Sequence, residues 1–295
     1  MTGRNGTGPE AERWSRLEGV IDLDVLRAAG VLVVGLGSGG STVALELAKA
    51  GVGHLALVDS DRLEEQNLIR HECDARYLGR NKAEAVADLI AHRNPDAEVE
   101  PIAADVFELG ERLEQAVADA DVVAVCTDAE PPKHLLNRLC MAAAVPGVYA
   151  GVYARGIGGE VIRCGGGRED ACYGCVNSVL KASAPLPDEE ELDYGAIDAD
   201  GTLHGAPGLG LDVRLIALLH AKLCLLELLG EPIDDRAKEK GDDGDGADPN
   251  VVLFGTAPIE GLFPRRFASA LVSVAPQGGC LACGPMRDAP TVSNA

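Results

Sequence analysis

Between Val31 and Asp59 the chain carries the segment that leaves its fold the least choice. Val31-Leu32-Val33-Val34 is apolar at every position and too short for a helix, which predicts a parallel strand covered on both faces. It runs into Gly35-Leu36-Gly37-Ser38-Gly39-Gly40, then a stretch of helical spacing, Ser41–Ala50, then a stop at Gly53. A second apolar run, His54–Val58, ends on Asp59. Strand, tight turn, helix and strand make a βαβ unit. The G-x-G-x-x-G spacing lets backbone N–H groups at a helix N-terminus approach phosphates, and an acid at the end of the next strand can accept hydrogen bonds from ribose hydroxyls. The pair predicts a nucleotide without saying which one; a tight turn that binds nothing is the plain alternative.

The pattern continues with helices over Leu23–Ala29, Asn81–His92 and Glu108–Ala118 and strands over Val99–Ala103 and Val122–Cys126. Such alternation predicts an α/β fold: a Rossmann-like, doubly wound, mostly parallel sheet. After Pro131-Pro132 a helix to about Ala143 leads into an extended segment, Gly147 to Ile162, where the pattern turns strand-rich and predicts additional antiparallel strands. Residues 176–209 show no periodicity and read as a long exposed excursion. A helix over Asp212–Leu229, a disordered acidic insert over 231–248, and strands over Val251–Gly255 and Ala268–Val274 complete the reading. The expected organisation is one unit over 13–284 between short tails, 1–12 and 285–295, with no internal repeat.

Composition excludes partners more than it names them. A net charge of −21 and a pI near 4.6 leave no field that would gather nucleic acid or anionic lipid. The polar, Gly-rich start lacks the apolar stretch of a signal peptide, and the apolar helix Leu215–Leu229 is interrupted by His220 and Lys222, so a cytoplasmic protein without a membrane span is expected. Nine cysteines without a secretory signal read as reduced thiols or metal ligands. Two C-x-x-C pairs on turn-like segments, Cys172/Cys175 and Cys280/Cys283, suit a closed, structural zinc site of four thiolates; a redox dithiol is the alternative.

The stretch after the second strand, Asp59-Ser60-Asp61-Arg62-Leu63-Glu64-Glu65-Gln66-Asn67-Leu68-Ile69-Arg70-His71, is furnished beyond what a dinucleotide needs. Phosphoryl chemistry needs such groups, because charge on three phosphates must be balanced by cations and by Mg²⁺ held on carboxylates. Arg70 and Lys82 supply cations, and Asp128, just past the strand Val122–Cys126, sits at a carboxyl strand end as a candidate Mg²⁺ holder.

In order, GLGSGG, DSD with NLIRH, GRNKAE, CTDAE, CYGC and CLAC resemble the ThiF/MoeB/HesA ubiquitin-activating family over 13–284. The resemblance implies an acyl-adenylate-forming adenylyltransferase that uses Mg-ATP on the C-terminal Gly carboxylate of a small ubiquitin-like or sulfur-carrier protein. It implies Gly35, Gly37 and Gly40 under the phosphates, Asp59 on the ribose with Asp61 in the same nucleotide cluster, and Asn67, Arg70 and Lys82 on the triphosphate. Asp128 would serve Mg²⁺ and the reacting centre. Arg13-Trp14-Ser15-Arg16 resembles the family's opening R-Y-x-R segment, which makes Arg16 a donor to the neighbouring subunit's ATP and implies a homodimer. Asp128, Arg70, Lys82 and Arg16 are thus the catalytic set. The four-cysteine zinc site also occurs in many members at the matching places.

The family's thioester-forming members carry a cysteine on or just after the crossover loop, whereas this chain has none from 176 to 223. Cys126, Cys140 and Cys224 read as core, and Cys73 and Cys164 have no clear assignment. The adenylate is therefore expected to pass to an external nucleophile such as a persulfide donor. Gly205–Leu211 resembles the return of the crossover loop over a substrate tail, with Gly156, Gly158 and Gly159 as groove glycines; His204 and His220 have no recognisable catalytic partner. Adenylation of a peptide or other carboxylate, a nicotinamide-dependent oxidoreductase, and a nucleotide-binding scaffold without turnover are the competing readings.

Overall fold

The computed structural model describes residues 9–167, 169–183, 208–235 and 248–284. Helices α1 (Pro9–Trp14) and α2 (Leu23–Ala28) lead into β1 (Gly30–Val34), α3 (Ser38–Ala50) and β2 (His54–Val58). There follow α4 (Lys82–Ala91), β3 (Glu98–Ile102), α5 (Glu111–Ala118), β4 (Val122–Val125), α6 (Glu130–Ala143), β5 (Gly147–Val152) and β6 (Gly158–Cys164). Finally come α7 (Tyr173–Ser183), α8 (Gly210–Leu228), β7 (Val251–Gly255) and β8 (Ala268–Val272).

One eight-stranded sheet runs in the order β3-β2-β1-β4-β5-β6-β7-β8. Pairing is parallel from β3 to β5 and antiparallel from β5 to β8, as the change of pattern after Gly147 predicts. Because alternate side chains of a strand leave opposite faces, Val31 and Val33 enter a core under α3, α4 and α8, while Leu32 and Val34 enter one under α5, α6 and α7. Burial of β1 on both faces is what makes it a continuous apolar run.

Local signals set several boundaries. Asn81 caps α4, its Oδ1 accepting from the N–H groups of Ala83 and Glu84, so the helix starts one residue later than periodicity suggests. Pro131 and Pro132 lie inside the first turn of α6, where a missing N–H costs nothing, so that helix starts at Glu130. The excursion expected from residue 176 is corrected at its start: α7 runs to Ser183, with Cys175, Val176 and Leu180 buried along one face. Residues 1–8, 184–207, 285–295 and most of the acidic insert lie outside the described residues, and α1 begins at Pro9, inside the tail expected over 1–12. The ends of that insert are tied together: Asp248 accepts from the N–H groups of Ile233 and Asp234 at 2.9 and 3.0 Å and pairs with Arg163. Among the described residues no helix is long and apolar enough to cross a membrane.

Candidate active site

The glycine turn between β1 and α3 uses its glycines for two separate reasons. A Cβ on Gly40 would lie 1.8 Å from the Gly35 carbonyl oxygen, and one on Gly35, at φ +90°, would lie 2.8 Å from that of Cys126. Gly35 and Gly40 therefore close the turn against β4 and against itself. A Cβ on Gly37 or Gly39 would meet nothing within 4 Å, so these two present bare backbone to open space. Two clefts open there, one on each side of the turn.

The first cleft lies over the carboxyl ends of β1, β2 and β4, walled by Val34, Val58, Val106 and Phe107. Asp59 is held at its inner end, accepting from the N–H of Leu36 at 2.6 Å and of Asp61 at 2.8 Å. Burial pushes the Asp59 carboxyl up, against those two N–H donors. Lys82, with a side chain only 12% exposed, reaches Asp61 at 2.8 Å. Thr127 Oγ1 is buried on this wall without a hydrogen-bond partner among the described residues, an orphan that a polar ligand would satisfy. One cleft thus brings together an apolar wall, a half-buried acid, a cation and a glycine whose backbone is open to it.

The second cleft lies on the α8 side of the same turn. Arg70, Tyr153 and Arg155 stand around it, and Val152, Val213, Ile216 and Ala217 give it an apolar lining. Gly159 is obligatory beside it, since a Cβ there would lie 2.4 Å from the Gly151 carbonyl oxygen. His220 is buried in the lining and its Nε2 lies 2.9 Å from the Val148 carbonyl oxygen. A carbonyl only accepts, so Nε2 carries the proton and the Nδ1 lone pair faces Cys126 Sγ at 3.7 Å. Burial pushes His220 down to about 4 and Cys126 up, so both are neutral. Gly37, Cys126 and Asp128 line both clefts, which therefore meet along these three residues.

Of the residues singled out in the sequence, Gly35, Gly37, Asp59, Asp61, Lys82 and Asp128 line the first cleft, and Arg70, Gly37 and Asp128 the second. Gly40 supports the turn from below. Asn67 is engaged locally, its Oδ1 accepting from the Glu64 N–H at 3.0 Å, and Arg16 is exposed; neither lines either of the two clefts. Sequence reasoning missed Val106 and Phe107, although their place just past a strand end is a usable signal, and it passed over Tyr153 and Arg155. It read Cys126 as core and His220 as an unpartnered helix residue, yet they meet across 94 positions of sequence.

The four cysteines of the paired motifs converge. All four Sγ atoms lie within 4.8 Å of one another, with Cys172 3.8 Å from Cys175 and 3.7 Å from Cys280, and Cys175 3.4 Å from Cys283. A tetrahedron with Zn–S bonds of about 2.3 Å has edges of about 3.8 Å, so this donor set fits zinc and leaves no open position for water. The Gln277 N–H points at Cys175 Sγ at 3.3 Å, as N–H donors do to a thiolate. Cys73, Cys164 and Cys224 are buried thiols pushed up by that burial, Cys73 to about 12.

Known proteins resemble this chain in sequence and in fold. The chain is 38% identical over 130 residues to a SAMP-activating enzyme E1 of Haloferax volcanii, covering 43% of this chain and 47% of that protein. It is 35% identical over 147 residues to the sulfur carrier protein ThiS adenylyltransferase of Escherichia coli, covering 50% and 57%. The chain thus spans about half the length of these curated relatives. In three dimensions it matches E. coli MccB crystallised with ATP at a TM-score of 0.67 and 20% identity, over 95% of this chain and 75% of that one, which speaks to the fold alone. The model of the ThiF family matches residues 11–239, well over half of the chain, and the protein belongs to the ThiF family.

Proposed function

We propose that the protein is an adenylyltransferase that uses Mg-ATP to adenylate the C-terminal carboxylate of a small ubiquitin-like or sulfur-carrier protein. The observation that carries this reading is the meeting of two clefts at Asp128: one has the parts of a nucleotide site, and the other is a channel of small and apolar residues suited to an extended chain end. The curated relatives, named for activating SAMP and ThiS, supply the class of carrier.

In this reading the base packs among Val34, Val58 and Phe107, and the ribose hydroxyls share Asp59 with its two N–H donors. The phosphates lie over the bare backbone of Gly37 and Gly39 at the start of α3, where the helix N-terminus favours negative charge. The carrier's tail enters the second cleft, and one carboxylate oxygen attacks the α-phosphorus. The bond from that phosphorus to the bridging oxygen breaks, and pyrophosphate leaves with its electron pair. Lys82 and Arg70 stabilise charge that builds on the phosphates in the transition state. Asp128 holds Mg²⁺, which when bound neutralises charge on the leaving pyrophosphate.

Arg16, outside both clefts of its own protomer, is assigned to the partner's triphosphate in a homodimer, and Asn67 to the triphosphate on tightening of its turn. Residues 13–284 form the adenylating unit, the four thiols hold a structural Zn²⁺, and the substrate Mg-ATP goes with a cytoplasmic location. Neither Cys126 nor any buried thiol is given a covalent role, so the adenylate passes to an external nucleophile. The test is pyrophosphate–ATP exchange with purified protein, Mg²⁺ and a panel of small carriers ending in Gly-Gly. Carrier-dependent exchange, lost in Asp128→Ala, is expected; ATP binding without exchange on any carrier would sink the reading.

A further inference from the structure

Tyr173 lies between the two cysteines of the first pair, yet its contacts lead toward the clefts. The side chain is buried, its ring stacked on Tyr149 at 4.6 Å between centroids. Its N–H donates to Asn137 Oδ1 at 2.9 Å, and its hydroxyl donates to Glu130 Oε1 at 2.9 Å. The other Glu130 oxygen accepts from Asn177 Nδ2 at 3.0 Å, one turn further along α7. Lys133, buried in α6, places Nζ 3.6 Å from the same carboxylate. Both oxygens of Glu130 are thus held by the helix that grows out of the thiol cluster.

Glu130 itself lines neither cleft, but it opens α6 two residues beyond Asp128. Pro131 and Pro132 fix φ in the next two positions, so a displacement of Glu130 is not absorbed by the turn that follows it. On its other side Asp128 is tied only through Cys126 and Thr127 to the end of β4, and the Thr127 hydroxyl has no partner among the described residues. Cys172 and Cys175 in turn touch Cys280 and Cys283. A continuous path therefore runs from four thiols through Tyr173 and Glu130 to Asp128.

We infer that Tyr173 and Glu130 are positioning residues: through their hydrogen bond the four-thiol knuckle fixes the start of α6, and with it the Asp128 carboxylate at the junction of the two clefts. A zinc knuckle that only stapled the C-terminal strands would not need this bond. The inference rests on the adenylation reading for its catalytic consequence, while its structural half stands apart from it.

The test uses Tyr173→Phe, which keeps the ring and its stack on Tyr149 and removes one donor, and Glu130→Gln, each in the full, metal-loaded chain. Carrier-dependent pyrophosphate exchange at saturating ATP and carrier is expected to fall about tenfold, the size of one hydrogen bond to a charged group. KM for ATP and for carrier should stay within about twofold, since neither side chain touches a ligand. The effects of the two variants should not add, because Tyr173 and Glu130 share one hydrogen bond, although Glu130→Gln also weakens the pairing with Lys133 and Asn177. Hydrogen exchange supplies a readout free of catalysis: the amides of residues 127–130 should exchange faster in Tyr173→Phe while those of β1 and β4 do not change. Wild-type exchange behaviour and rate in both variants would overturn the inference, as would amides loosened throughout the sheet. Local loosening in a protein that activates no carrier would keep the positioning link and remove the adenylation reading.

Discussion

The Lys82 ammonium lies 2.8 Å from the Asp61 carboxylate, and Asn81, its neighbour in the chain, donates to the backbone carbonyls of both Asp59 and Asp61. One helix N-terminus thus organises both acids and the cation that faces them. With its side chain mostly covered and paired with Asp61, Lys82 is held in place at the first cleft rather than left in solvent, as the proposed triphosphate role requires. Lys82→Met should raise the dissociation constant for ATP about tenfold to a hundredfold, the range for a lost charge-assisted contact, as read by calorimetric titration. Asp61→Asn should change it far less, and equal effects would assign the pair to structure alone.

The two kinds of glycine in the turn separate stability from binding. Gly40→Ala forces a methyl to 1.8 Å from a backbone oxygen and should cost more than about 3 kcal/mol in urea denaturation. Gly37→Ala meets open space, so it should unfold like the wild type yet bind ATP at least tenfold more weakly, because the methyl occupies the space of a phosphate. Full ATP affinity in Gly37→Ala would move the phosphates off the turn.

Asp128 faces both clefts, so its removal should abolish the reaction more than it weakens either ligand. Asp128→Asn keeps the volume and removes the charge. Carrier-dependent exchange should fall at least a hundredfold, with ATP binding changed less than tenfold, in parallel exchange and binding assays.

His220 gives the fold a dependence on pH. Burial lowers its pKa from 6.5 to about 4, so between those values the unfolded chain binds more protons than the folded one, and stability is lost as pH falls through that window. Full loss of the term below pH 4 is worth about 3 kcal/mol. His220→Gln should flatten the stability profile between pH 6.5 and 4 in urea melts; an unchanged slope would assign it to other groups.

The four-thiol cluster should carry one zinc per chain by elemental analysis, with thiolate-only coordination in X-ray absorption. Cys283→Ser should lose the metal and lower the melting temperature. A metal-free wild type with two disulfides would return the cluster to redox chemistry.

The glycine turn, the acids Asp59 and Asp61 of the first cleft and the switch from parallel to antiparallel pairing were legible because each is written within a few neighbouring residues. Gly30 to Val34 and His54 to Val58 pair with each other in register over their whole length, so local pattern and tertiary partner agree. What was not legible came from long range or from mixed signals. Tyr173-Gly174-Cys175 looks like a turn, but burial of Cys175, Val176 and Leu180 makes it the start of a helix. Tyr153 and Arg155, from the connection between β5 and β6, meet His220 of α8 in one cleft, and no spacing rule joins them. Neutral His220 beside neutral Cys126 is a property of burial that a sequence does not display.

The clasp formed by Asp248 on Ile233, Asp234 and Arg163 has a practical side. It joins the two ends of the stretch from 236 to 247, and lengthening a loop whose ends are already joined costs little. The position is therefore a natural splice point for a fluorescent or affinity module, entered and left through a clasp the chain already makes.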